Sequence, residues 1–161
     1  MAITPSDSAQ YANIAATPPV LNDGRDHGKL RMAHAVLTYT AGGTGQARML
    51  RLPAGKIRIY PILGRTANSV NAVATSTISV GLGAYVTPAG AVVAADVDAL
   101  LVATAVGAAL VSTALLGTVA GQTAAIEVES KNGVDITIDW ATANSPASGT
   151  QVLSVPYVLA G

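Results

Sequence analysis

The sequence predicts an all-β fold: an antiparallel β-sandwich or jelly roll with an extended N-terminal arm. Three observations carry this. From residue 32 onward apolar and polar side chains alternate with period two, the pattern that sends successive side chains to opposite faces of a strand. Short alternating runs are separated by Gly- and Pro-bearing turns, with hardly any stretch of helical period between them, as in sandwiches and not in crossover-connected parallel sheets. The chain has no Phe, one Trp and five Tyr, so its core must be built largely from Leu and small β-branched residues, which suit a pleated surface. Its 161 residues suffice for one domain with a sizeable core and are too few for two of ordinary size. The expected organisation is an arm over residues 1–30 and a single sandwich over 31–161.

The arm is read from local backbone preference. Thr17-Pro18-Pro19 favours extended chain, and Asn22-Asp23-Gly24 followed by His27-Gly28 favours turns. Such a segment suits a clasp on a neighbouring subunit, and Tyr11, Pro18, Pro19, Arg25 and Lys29 within it, with Arg31 just beyond it, are candidate residues of a capsid or subunit interface. The N-terminus lacks the basic and apolar regions of a secretory signal.

Strands follow in quick succession. His34 to Thr40 and Arg48 to Leu52 flank a glycine-rich segment over 41–45 and predict a hairpin. Pro53-Ala54-Gly55 turns into Lys56 to Tyr60, where Ile57 and Ile59 face one way and Lys56 and Arg58 the other. Thr77 to Leu82 repeats the alternation, and Gly81 within it marks a bulge or a close backbone approach. Pro88-Ala89-Gly90 reads as a turn. Val97 to Ala103 reads as a short helix with Asp96 as its N-cap, because an Asp side chain can accept a hydrogen bond from a first-turn amide. Leu110 to Leu116 fits strand better than helix.

The last third alternates most strictly. Ala125 to Glu129 and Val134 to Trp140 are joined by Ser130-Lys131-Asn132-Gly133, and Asn-Gly is a strong hairpin marker. In that pairing Glu127, Glu129, Asp135 and Asp139 share one polar face, while Ile126, Val128, Val134, Ile136, Ile138 and Trp140 line the core. A final strand runs from Val152 to Leu159, with Pro156 suggesting an edge or a bulge.

Charge is sorted along the chain. Residues 1–80 hold eight basic and three acidic side chains, residues 81–161 one basic and six acidic, so a formal net charge of zero hides halves of about +5 and −5. Such polarity fits complementary surfaces, whether within one fold, across copies of one subunit or against another protein. Lys56 and Arg58 on one side, and Glu127, Glu129, Asp135 and Asp139 on the other, are therefore interface candidates along with the arm.

The search for chemistry returns little. With no Cys, disulfides, thiol nucleophiles and thiolate metal sites are excluded. Nucleophilic hydrolysis needs a base beside the nucleophile, and the two histidines, His27 and His34, fall in the turn-rich arm and at a strand start. The four late carboxylates could be sought as a glycosidase pair, but they are read on an exposed sheet face, where charges are ordinary. Asp96-Val97-Asp98 lacks the ligand count of a calcium loop. The Gly-rich segment at 41–45 lacks the Gly-Lys-Ser/Thr ending of a phosphate loop. The basic residues are spaced too widely, with too few aromatics, for a nucleic-acid surface. Ala99 to Gly121 carries no charge and is long enough to cross a bilayer. Its small residues, the interruptions at Gly107 and Gly117 and the lack of flanking Lys or Arg point instead to two buried elements. No enzyme activity, cofactor, metal, nucleic acid or membrane partner is expected.

One resemblance is visible. Leu50-Arg51-Leu52-Pro53-Ala54-Gly55-Lys56-Ile57-Arg58-Ile59, then Thr77 to Gly83, then Ala94-Ala95-Asp96-Val97-Asp98-Ala99-Leu100-Leu101, resembles small structural proteins of tailed-phage virions. There an LPAG turn into a strand precedes a glycine-bearing strand and a short D-x-x-L segment. The resemblance covers about residues 45 to 105, and the later strands agree in character only. It implies a capsid decoration (cement) protein of jelly-roll type on the outer surface of the virion. Such proteins are commonly homotrimers that bind between major capsid protein subunits. No catalytic residue carries over. A head or tail fibre module and a carbohydrate-binding β-sandwich are the alternatives.

Overall fold

The computed structural model describes residues 29–38, 45–69, 77–105, 112–115, 125–140 and 149–160. Residues 1–28 of the expected arm, including Tyr11, Pro18, Pro19 and Arg25, lie outside the described residues, as do the connections between the described segments. The described residues form twelve strands: β1 (Arg31–Thr38), β2 (Gly45–Leu52), β3 (Gly55–Ile59), β4 (Arg65–Asn68), β5 (Thr77–Leu82), β6 (Tyr85–Val86), β7 (Val92–Val93), β8 (Asp96–Ala105), β9 (Ser112–Ala114), β10 (Ile126–Ser130), β11 (Val134–Trp140) and β12 (Thr150–Ala160). A single 3-10 turn, Pro61–Leu63, separates β3 from β4.

The pairing is nested and antiparallel throughout. β1 pairs with β12, β2 with β11, β3 with β10, β4 with β9, β5 with β8 and β6 with β7. The described strands thus form one long ribbon whose tip is the Thr87–Gly90 turn, where the Gly90 amide donates to the Thr87 carbonyl at 2.9 Å. Rolling the ribbon adds the remaining contacts, β12 against β3 and β4 and β11 against β5. Tyr157 faces Arg31 on one side and Ile59 on the other, so β3 and β4 lie end to end along one edge of β12 with β1 on the opposite edge. The first sheet therefore runs β1, β12, β3 with β4, then β10 with β9, and the second runs β2, β11, β5, β8. Two four-strand-wide sheets wound this way are a jelly roll.

Alternation builds the core between the sheets. Ile57 and Ile59, Ile78 and Val80, Val134, Ile136, Ile138 and Trp140, and Leu153 and Val155 are all buried. Each contributes about 1.5–3 kcal/mol relative to staying exposed. Among the described residues, Trp140 joins aliphatic side chains in the buried cluster, and Tyr85 and Tyr157 pack against it half-buried.

Several expectations are corrected. The strands of both expected hairpins form, but neither hairpin does. β1 and β2 belong to different sheets, as do β10 and β11. Gly133 does take the left-handed conformation that Asn-Gly favours, at φ +87°, yet it turns the chain from the first sheet into the second, because a jelly roll changes sheet between these strands. The helix expected over Val97 to Ala103, with Asp96 as N-cap, is strand β8. Its register against β5 shifts twice, with Val80 opposite Leu101 but Leu82 opposite Asp96. The extra residues break the alternation and let the adjacent Leu100 and Leu101 both be buried, which mimics helical spacing in sequence. Pro156 lies in an interior strand. Its carbonyl accepts the Tyr60 amide at 3.0 Å, and the N–H it lacks would point the same way, into the gap where the neighbour changes from β4 to β3.

Gly81 is the close approach its position suggests. A Cβ there would overlap the Asp96 carbonyl oxygen and the Val97 backbone, so the β8 bulge lies directly over it. Among the described residues, no helix is long and apolar enough to cross a membrane.

Candidate functional site

The outward face of the first sheet carries a charge ladder. Alternation in β3 and β10 turns Lys56, Arg58, Glu127 and Glu129 away from the buried Ile57, Ile59 and Val128, and register sets Arg58 opposite Glu127 and Lys56 opposite Glu129. Arg58 donates from Nε to Glu127 Oε1 at 2.7 Å, and Lys56 Nζ lies 3.7 Å from the other carboxylate oxygen. These side chains are about half exposed, so each pair stabilises by about 0.2–1 kcal/mol.

The second sheet carries the other acids. Asp135 on β11 lies 3.6 Å from Arg51 and 3.8 Å from Arg48, both on β2. Asp139 stands between Gln46 and Ser79 in register. The common polar face expected for Glu127, Glu129, Asp135 and Asp139 is therefore absent: the two glutamates and the two aspartates belong to opposite layers. No bond can be flanked by one acid from each set, so a carboxylate pair of the kind used in glycoside hydrolysis would have to come from within one layer.

Pairing of strands distant in sequence also assembles a row that the sequence reading missed. His34 of β1, Ser154 of β12 and Arg65 of β4 lie side by side on the outer face of the first sheet, and His34 Nδ1 is 3.0 Å from Ser154 Oγ. The 120 residues between the two partners left no local signal. Among the described residues no carboxylate orients the imidazole, so the pair lacks the third member that activates a serine. Exposed Met32 and Val36 sit on either side of His34 in β1, making this half of the face mainly apolar. Lys29 and Arg31 lie at the entry to β1, and Arg31 is exposed.

The outer edge of the second sheet differs. Asp96, Val97 and Asp98 are exposed on β8. The Asp98 carboxyl is held above the ordinary carboxylate value by a hydrogen bond shared with Asp96, then by desolvation and by Asp96 charge. Among the described residues, no group of three or more His, Asp or Glu is placed to hold a metal ion.

No protein-family model matches the chain, and no curated protein matches its sequence. Solved structures do match. The chain is similar to one in the cyanophage Pam1 capsid asymmetric unit, with 21% identity over 82% of this chain and 86% of that one and a TM-score of 0.51. It is also similar to a chain of infectious bursal disease virus Gx strain, with 9% identity, 83% of this chain, a third (33%) of that one and a TM-score of 0.50. A chain of the acid-stable capsid of Helicobacter pylori bacteriophage KHP30 matches at 18% identity with a TM-score of 0.42. The fold is capsid-protein-like.

Proposed function

We propose that this chain is a non-enzymatic structural protein of a phage virion, one that decorates the capsid from outside and stabilises it by binding between major capsid protein subunits, as a homotrimer. The observation that carries the reading is the jelly roll itself, shared over most of both chains with a member of a phage capsid asymmetric unit. The surfaces agree with a binding role: broad sheet faces bearing ion-pair ladders and exposed apolar residues, with no assembled catalytic constellation among the described residues. The proposed organisation is an arm over 1–30 and one sandwich over 31–161. The arm, with Tyr11, Pro18, Pro19 and Arg25, would reach across neighbouring subunits and gain from the repetition of the lattice. Lys29, Arg31, Lys56, Arg58, Glu127, Glu129, Asp135 and Asp139 would form the folded part of the interface.

The test is incorporation and re-binding. Mass spectrometry of purified virions should find the chain at high copy number, and the purified protein should re-bind capsids stripped of it. A version lacking residues 1–30 should remain folded and lose capsid binding. Absence of the chain from virions would overturn the reading, and full occupancy by the truncated version would overturn the role of the arm.

A further inference from the structure

Between β10 and β11 the chain passes from the first sheet to the second through Lys131, Asn132 and Gly133, and this crossing is fastened on both sides. Ser130 ends β10 opposite Gly55, the Lys131 amide donates to the Val86 carbonyl at 2.7 Å, and Val134 opens β11 opposite Leu52. Asn132 lies between these anchors and is exposed. Among the described residues no hydrogen bond or ion pair holds its carboxamide, and none holds the Gly133 amide that follows it.

Asn68, the other asparagine among the described residues, is placed in the opposite way. It is 2% exposed and faces Gln151 in register. The amide after it, that of Ser69, donates to the Thr150 carbonyl at 2.9 Å. A nitrogen engaged in that way is not available to attack the preceding side chain. The nitrogen after Asn132 is, and it belongs to a glycine, so no following side chain stands in the path between it and the Asn132 carboxamide.

We propose that Asn132 is a site of spontaneous deamidation in the folded protein, and that its conversion to isoaspartate loosens the crossing between the sheets. The Gly133 nitrogen gives up its proton to water or hydroxide and attacks Asn132 Cγ. An N–Cγ bond forms, the Cγ–Nδ2 bond breaks, and Nδ2 takes a proton and leaves as ammonia, closing a succinimide. Water then opens that ring at either carbonyl. Opening at Cγ gives aspartate and leaves the backbone as it was, with a new carboxylate beside the exposed Lys131. Opening at the main-chain carbonyl gives isoaspartate, which inserts the Asn132 Cβ methylene into the backbone between Lys131 and Gly133. The anchors on either side leave no slack for that extra length, since even a Cβ on Gly133 would overlap the Leu52 carbonyl oxygen. The chemistry needs only the folded chain and water, so its test is independent of the virion reading.

The experiment is ageing of the purified full-length chain at mildly alkaline pH, folded and in urea, followed by peptide mass mapping and an isoaspartyl methyl-transfer assay. In the folded chain Asn132 should show the mass change of an amide becoming an acid, while Asn68 keeps its amide. In urea Asn68 should begin to convert as well. Asn132→Gln, whose longer side chain closes a less favourable ring, should lose the isoaspartyl signal of this peptide. An Asn132 that stays an amide in the folded chain, a folded Asn68 that converts as fast as Asn132, or an isoaspartyl signal that survives Asn132→Gln would each overturn the site. Thermal melts test the consequence. Aged protein should show a lower transition that is absent from freshly made Asn132→Asp, and Asn132→Asp should melt close to fresh wild type. Aged, converted protein that melts with Asn132→Asp would overturn the loosening of the crossing.

Discussion

Arg58 and Glu127 meet at 2.7 Å across 69 residues of chain, and their contact explains why charge is sorted along the sequence. In a nested ribbon every early strand pairs with a late one, so a basic first half and an acidic second half become facing partners. Register slips in a sheet cost most where side chains on both faces are specified. Here the inner face is fixed by aliphatic packing, and the outer face by Arg58 opposite Glu127 and Arg51 opposite Asp135. Reversing one member, as in Glu127→Arg, sets a third positive charge beside Arg58 and Lys56. It should lower stability by about 1 kcal/mol at low salt, and pairing it with Arg58→Glu should recover most of the loss. Urea denaturation of the four members of this cycle at low and high salt checks it. Screening should shrink the coupling at high salt, and a coupling unaffected by salt would mean that packing, not charge, joins the two residues.

Gly81 gives the sharpest steric prediction. The β8 backbone occupies the space where a Cβ would stand, whereas a Cβ at Gly83 would come only to 3.3 Å from the Asp135 side chain. Gly81→Ala must push the bulge off β5, at a cost of about 1–3 kcal/mol or more, and Gly83→Ala should be far milder. Thermal melts of the two variants side by side decide this. Equal midpoints would mean that β8 yields freely at this point.

Much of the sandwich was legible because alternation reports which side of a strand faces the core. Lys56 to Ile59 and Val134 to Trp140 show it plainly. Alternation does not report the neighbour. Asn132-Gly133 reads as a hairpin because its backbone preference is local, and that preference is met at φ +87°, but whether the next strand joins the same sheet depends on distant partners such as Leu52, which faces Val134 in register. The same limit hid the His34 and Ser154 contact. β8 failed for a different reason: a bulge inserts residues and erases the period-two signal. The candidate surface was legible as a set of charges, and its division between the two sheets was not, since that depends on which strands pair after folding.

A buried polar pair marks one end of the core. Gln151 is fully buried, and its Nε2 donates to Thr66 Oγ1 at 2.6 Å, while that hydroxyl donates to the Val152 carbonyl at 3.1 Å. Thr66→Val keeps the shape and removes the acceptor, stripping the buried amide of this hydrogen bond at a cost of about 1–3 kcal/mol. Thr66→Ser retains the hydroxyl and should lose less. Chemical denaturation of both variants checks the order, and a Val variant as stable as wild type would show that Gln151 finds another partner without cost.

The Asp96 and Asp98 pair predicts a pH dependence of definite sign. Sharing a hydrogen bond with Asp96, reinforced by desolvation and by its neighbour's charge, keeps the proton on folded Asp98 above the ordinary value of 3.8. Between the unfolded and folded values the native state binds more protons than the unfolded chain, so stability falls as pH rises through that window and stays lower above it. Asp98→Asn removes the titrating group and keeps a donor for Asp96. Urea midpoints of the two proteins should run parallel below about pH 3.9, where an unfolded Asp is protonated, and the Asn variant should gain on wild type as pH approaches neutrality. Because both carboxylates are exposed, added salt should narrow the gap. A wild type that gains on Asp98→Asn with rising pH would show that the Asp98 carboxylate, once ionised, meets a cation in the folded state.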